Sequence, residues 1–115
     1  MPIFIRMKIL VKKTIAYYID KYPKSKMQLL IWYNEFMKMK FSNFNELKNV
    51  YGSASIVSNN RVVFNIKGND FRLVVSINFS QMACYVIWFG THKEYDKINV
   101  ETIVFDTSIL LNKKF

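Results

Sequence analysis

Residues 61–96, RVVFNIKGNDFRLVVSINFSQMACYVIWFGTHKEYD, constrain the fold more than any other stretch of the chain. Val62, Phe64 and Ile66 alternate with Arg61, Asn65 and Lys67, the period of two that belongs to a strand with one apolar face. Gly68 and Asn69 suit a tight turn, after which FRLVVSINF returns as a second strand. Strand-rich sequence resumes from Met82 to Phe89 and stops at Gly90-Thr91-His92, where the only histidine stands. This predicts a meander of three antiparallel strands. Phe64, Ile66, Leu73 and Val75 would be buried against helices, while Arg61, Asn65, Lys67 and Arg72 would line a polar face that is open, Val63 aside.

The sequence before the meander reads as helical. Lys8 to Val11 could be a short first strand. Thr14 through Lys21 places Ile15, Tyr18 and Ile19 on one side, and Tyr22-Pro23 ends that helix because the residue before proline avoids helical angles. Ser25-Lys26-Met27-Gln28 has the spacing of a capping box and opens a second helix. Its apolar set is Met27, Leu30, Ile31, Tyr33, Phe36 and Met37, with Trp32 near the seam. Asn43-Phe44-Asn45-Glu46 opens a short third helix that runs to about Val50, and residues 53–57 are a loop or a brief edge strand. Lys93 to Asp96 looks like a turn or one helical turn. The tail reads as a last strand or a helix folded on the sheet. The order predicts a small α+β domain, an antiparallel sheet with an N-terminal helical hairpin packed on one face and the other face concave and wet.

At 115 residues the chain suits one domain, 1–115, with MPIFIR at 1–6 as an extra arm and 101–115 as an atypical tail. The formal charge is +9, and residues 1–40 hold nine of the 17 basic groups against Asp20 and Glu35. Such an excess favours a polyanionic partner: nucleic acid, an anionic membrane or an acidic protein. Cys84 stands alone, so no disulfide can form within the chain and no zinc pattern exists, which fits a reducing cytoplasm. No apolar run is long enough to span a bilayer.

The polar face could carry chemistry. Lys67 and Arg72 can hold a phosphate or offset charge as a pentacovalent phosphorus forms. His92 can move a proton near neutral pH, and Tyr95 can hydrogen-bond a phosphate or stack on a base. These groups suffice for metal-free RNA cleavage in which the 2′-hydroxyl attacks its own phosphorus. They would equally serve a surface that only binds RNA, with Arg61, Asn65 and Lys93 as further contacts. No cofactor motif is present.

N-x-K-G-N at 65–69, F-R-L-V at 71–74 and T-H-x-E-Y-D at 91–96 together resemble the HigB-type toxins of bacterial type II toxin–antitoxin systems, within the RelE-like superfamily. KYP at 21–23, WY at 32–33 and YGSASIV at 51–57 extend the similarity, which runs roughly from Met7 to Val100. The resemblance implies a cytoplasmic, ribosome-dependent mRNA endoribonuclease, with no cofactor, that a HigA-type antitoxin blocks. It also implies roles for residues. Arg72 would contact the scissile phosphate, Lys67 the RNA backbone, and His92 would be the catalytic group at the strand end, with Tyr95 following. The wider superfamily places an arginine where His92 stands. The leader MPIFIR and the tail TIVFDTSILLNKKF fall outside the similarity. A non-catalytic RNA- or ribosome-binding domain, or an inactive copy that still binds antitoxin, is the alternative.

Overall fold

A computed structural model describes the backbone of residues 8–10 and 12–111 and the side chains of residues 12–109. The expected arm at 1–6 and residues 112–115 of the tail lie outside the described residues.

The alternating stretch folds as its period requires. Strands β3 (Arg61–Ile66), β4 (Phe71–Asn78) and β5 (Ala83–Thr91) form an antiparallel meander, with Phe64, Ile66, Leu73 and Val75 buried. Two short strands complete the sheet. β1 (Lys8–Leu10) runs parallel to the start of β5, and β2 (Ser55–Val57) runs antiparallel to the start of β3. The order is β1-β5-β4-β3-β2. Because β1 and β2 are short, β5 beyond Tyr85 and β3 beyond Val63 each have an edge with no strand beside it among the described residues.

Helices α1 (Lys12–Lys21) and α2 (Lys26–Met37) form the expected hairpin and pack on the apolar face. Trp32 stacks on Phe36 at 5.0 Å, and both close on Phe64. Aromatic rings of this kind bury roughly 150–250 Å² each. The buried face of α2 is Leu29, Trp32, Tyr33 and Phe36, whereas Met27, Ile31 and Met37 are exposed. Apolar residues surround this helix so broadly that period alone does not select the face.

Two local expectations also change. Ser25 does not cap α2: Pro23–Ser25 form a 3₁₀ turn, Ser25 has helical angles, and its hydroxyl donates to the Tyr22 carbonyl at 2.8 Å. An N-cap needs extended backbone. Asn43 does have it, and caps α3 (Phe44–Val50) by accepting from the Glu46 N–H at 3.0 Å. Among the described residues the tail is neither strand nor α-helix. After an irregular stretch, Thr107–Leu111 form a 3₁₀ helix against α1, with Ile109 buried.

The second sheet face is not the open polar surface that alternation predicts. Val63 and Val74 lie opposite each other there and are buried. The chain after β5 returns to this side: Arg61 donates to the Val100 carbonyl and Asn59 to the Glu101 carbonyl, both at 2.8 Å. Arg61 is therefore half-buried, and only Asn65 of the strand's polar residues is fully open. The consecutive apolar residues Val62-Val63-Phe64 signal a strand buried on both sides at its middle. Cys84 is buried, which pushes its thiol pKa well up and leaves it an inert core residue.

Candidate active site

The site is built at the end of β5, and a bulge sets it. Val75 pairs with Val86, but Val74 pairs with Trp88, so Ile87 is an extra residue. The shift puts Arg72 opposite Gly90 instead of Phe89, with Asn65 opposite Arg72 on its other side. Without it, every side chain of β5 beyond the bulge would change faces.

The four-residue helix α4 (His92–Tyr95) is pinned to this strand end. Thr91 accepts from the Glu94 N–H at 3.1 Å, and Glu94 Oε1 accepts from the Thr91 N–H at 2.8 Å, a complete capping box. The Tyr22 hydroxyl donates to the same oxygen at 2.7 Å, tying α4 to the helical hairpin. Burial acts against the Glu94 carboxylate, but the Thr91 and Tyr22 donors and the Lys21 charge hold its pKa below the ordinary value. Burial, then the Glu94 bond and charge, pushes the Tyr22 phenol far up, so it stays a donor. Thr91-x-x-Glu94 is the sequence signal for this box; beginning the turn at Lys93 misses it. Gly90 is required for the fit. A Cβ there would sit 2.6 Å from Trp88 Cη2 and 2.9 Å from Glu94 Oε1.

Arg72 and His92 meet at this corner. Arg72 Nη2 donates to His92 Nδ1 at 3.1 Å and to Asn69 Oδ1 at 3.3 Å. Its Nη1 donates to the carbonyls of Asn69 at 3.3 Å and Phe71 at 3.1 Å. A guanidinium only donates, so Nδ1 is the acceptor and the ring proton sits on Nε2. That nitrogen lies 3.3 Å from Asp96 Oδ2. The His92 backbone N–H donates to the Asp70 carbonyl at 3.0 Å, joining α4 to the β3–β4 turn. Arg72, His92 and Asp96 thus stand in one line, the first two joined by a hydrogen bond and the Asp96 carboxylate within ion-pair distance of the ring. The sequence places Asp96 only in a turn or one helical turn; its i+4 spacing from His92 is the signal for this contact.

The other expected residues divide. Tyr95 is half-buried with its ring 6.2 Å from Trp88. Burial raises its phenol pKa against the lowering effect of Arg72, with Asp96 raising it further, so it is a neutral donor at pH 7. Lys67, Lys93 and His92 line one shallow pocket of about 320 Å³, together with Lys24 from the α1–α2 connection, which sequence reading did not single out. Three ammonium groups against one carboxylate, Asp70, which pairs with Lys67, leave the pocket net positive and suited to an anion. Asn65 is exposed beside Arg72. Arg61 is not brought to this group; it sits at the far end of β3, on Val100.

Lys67 is not on the strand at all. It stands in the turn with φ +56°, followed by Gly68 at +62°, while Asn69 is not left-handed. A side chain in this region costs roughly 1–2 kcal/mol. The Lys67–Asp70 ion pair at 3.6 Å is exposed and returns little of that. Lys67→Gly is therefore expected to stabilise the fold by about 0.5–1 kcal/mol, the relieved strain less the entropy cost of glycine. A denaturant midpoint shifted upward at constant slope would show it.

Residues 25–98 match the HigB toxin family, the RelE-like toxic component of a toxin–antitoxin system. The chain is also 33% identical over 92 residues to the mRNA interferase toxin HigB of Escherichia coli (strain K12), covering 78% of this chain and 88% of that protein. The mRNA interferases HigB of Escherichia coli O157:H7 and Shigella flexneri match equally. The chain belongs to the HigB toxin family. The segment matched to HigB runs from the start of α2 through α4 and contains Asn65, Lys67, Arg72, His92, Tyr95 and Asp96; Tyr22 and Lys24 lie just outside it. As the toxic half of a toxin–antitoxin system, a HigB protein has an antitoxin as its counterpart. No helix among the described residues is long and apolar enough to cross a membrane, and no three His, Cys, Asp or Glu residues there are grouped to hold a metal.

Proposed function

We propose that this chain is an endoribonuclease that cuts mRNA on translating ribosomes in the cytoplasm and is held in check by a HigA-type antitoxin. The observation that carries the reading is the Arg72–His92–Asp96 line, whose His92 lines a pocket shared with three lysines. In the reaction the 2′-oxygen forms a bond to the adjacent phosphorus, the bond to the 5′-oxygen breaks, and a 2′,3′-cyclic phosphate and a 5′-hydroxyl result. One group must take the 2′-proton and one must protonate the leaving oxygen. His92 is general acid or base. Arg72 leaves its Asn69 and His92 contacts to stabilise the phosphorane, which frees Nδ1. Asp96 orients the ring and Tyr95 donates to phosphate or packs on a base. Lys67, Lys93 and Lys24 hold the backbone, with Asn65 beside them. Arg61 serves RNA only at a distance from the cut.

One histidine leaves the second proton transfer without a good carrier, since lysine, arginine and tyrosine ordinarily titrate far from neutrality. The pocket is also too shallow to bend a strand for in-line attack. The ribosome supplies that alignment. The same basic surface suits an acidic antitoxin segment. Primer extension on one mRNA is expected to show cuts only when ribosomes translate it. Equal cutting of free RNA would reject ribosome dependence. Growth arrest with no cut in either condition would favour the binding domain over the nuclease.

A further inference from the structure

A second pocket adjoins the first across Lys67. It measures about 220 Å³ and lies between α2, Tyr51 and the end of β3, with Gln28, Glu35 and Asn65 at its polar margin. Trp32, Tyr51 and Phe64 supply its aromatic wall. Here β3 has passed the end of β2, so the pocket opens on a bare strand edge whose backbone groups can hydrogen-bond. Two side-chain donors beside it have no partner among the described residues although both are shielded from water: the Trp32 indole N–H and the Tyr51 hydroxyl. Trp32 is only 4% exposed. A buried polar group without a partner is unusual enough to need a reason. Burial, with the Glu35 charge adding, pushes the Tyr51 phenol up to about 12, so it is protonated and able to donate at neutral pH.

We propose that this pocket receives one unpaired nucleobase of the RNA strand next to the scissile phosphate, and so sets a base preference at that position. The proposal rests on the nuclease reading above. Its volume is below the ~300 Å³ where pockets for drug-sized ligands begin, which suits one flat ring system. Lys67 lines both pockets, so a strand whose phosphate lies by His92 passes this opening with its next nucleotide. Asn65, at the margin of this pocket, directly opposes Arg72 on β4. An entering base would part the aromatic wall to reach the shielded Trp32 and Tyr51 donors, which would then donate to its ring or carbonyl acceptors, and Glu35 at the margin would accept from an exocyclic amino group, as carboxylates do from cytosine. Adenine, guanine and cytosine carry such a group. Uracil does not and would bind weakest.

The test uses the full chain and the four nucleoside 3′-monophosphates as probes, followed by the NMR signal of the Trp32 indole N–H. At least one amino-bearing nucleotide is expected to move that signal, with uridine 3′-monophosphate the weakest. Tyr51→Phe should weaken the binding by about tenfold, the scale of one hydrogen bond. In ribosomal cleavage the same variant, and Trp32→Phe, should still cut but lose most of the base preference at one position beside the cut. Tyr51→Phe keeps the comparison open should Trp32→Phe fold poorly. An indole signal unmoved by all four nucleotides overturns the proposal even if the chain cuts mRNA, as does a signal moved only by the antitoxin. An indole signal moved by nucleotides in a chain that cuts nothing keeps the pocket and overturns the nuclease reading.

Discussion

His92→Ala is expected to lower cleavage of a translated mRNA by about 10²- to 10⁴-fold, the usual contribution of one positioned acid or base. The loss should be chemical and not structural. His92 occupies the first position of α4, where alanine is a good helix former. Its backbone N–H would still reach the Asp70 carbonyl, and the Thr91–Glu94 box and the Tyr22 bond do not involve its ring. Thermal stability and antitoxin binding should therefore stay near wild type while growth arrest disappears. His92→Gln separates positioning from proton transfer: its amide can donate and accept much as the ring does, but it cannot carry a proton. It should be as inactive as alanine. Substantial activity in the glutamine variant would make His92 a positioning residue.

Arg72→Lys is expected to reduce cleavage by about 10²- to 10³-fold, the scale for removing a donor aimed at developing negative charge. The charge is kept, so the effect tests geometry. The guanidinium presents a planar fork and spans Asn69 Oδ1, two carbonyls and His92 Nδ1 at once. An ammonium is a compact, strongly hydrated point charge and cannot hold those partners together. RNA affinity should change far less than the cleavage rate, since phosphate attraction depends mainly on charge. A lysine variant as fast as wild type would remove the fork from the mechanism.

Much of this architecture is legible before any coordinates. Alternation in 61–66, the turn at 67–70 and the apolar return of 71–78 are short-range signals, and they produced the meander. His92, Arg72 and Tyr95 were singled out, and the fold does bring them together. What was not legible depends on register and on distant partners. The extra residue at Ile87 decides that Arg72 faces Gly90, and nothing local in YVIWFG marks which residue bulges. Tyr22 and Glu94 stand 72 residues apart in the chain yet share a bond. Lys67 was placed on a strand face because alternation continues through it, but the turn claims it first and holds it left-handed. Asp96 and the Thr91–Glu94 box were within reach, at i+4 and i+3 spacing. Charged residues in a turn usually point to solvent, which masks both signals. Val63 and Val74 show the limit of a period-two reading: the polar residues at the strand ends, Arg61 and Asn65, disguised a middle that is buried on both sides.

The most direct measurement is primer extension on one mRNA in a translating system, comparing wild type with His92→Ala at matched protein concentration. The wild-type protein is expected to produce defined cuts that vanish when translation is blocked, and the variant to produce none above background. Cuts of equal strength from both proteins would contradict the account, because the line from Arg72 through His92 to Asp96 would then not be where the RNA is cleaved.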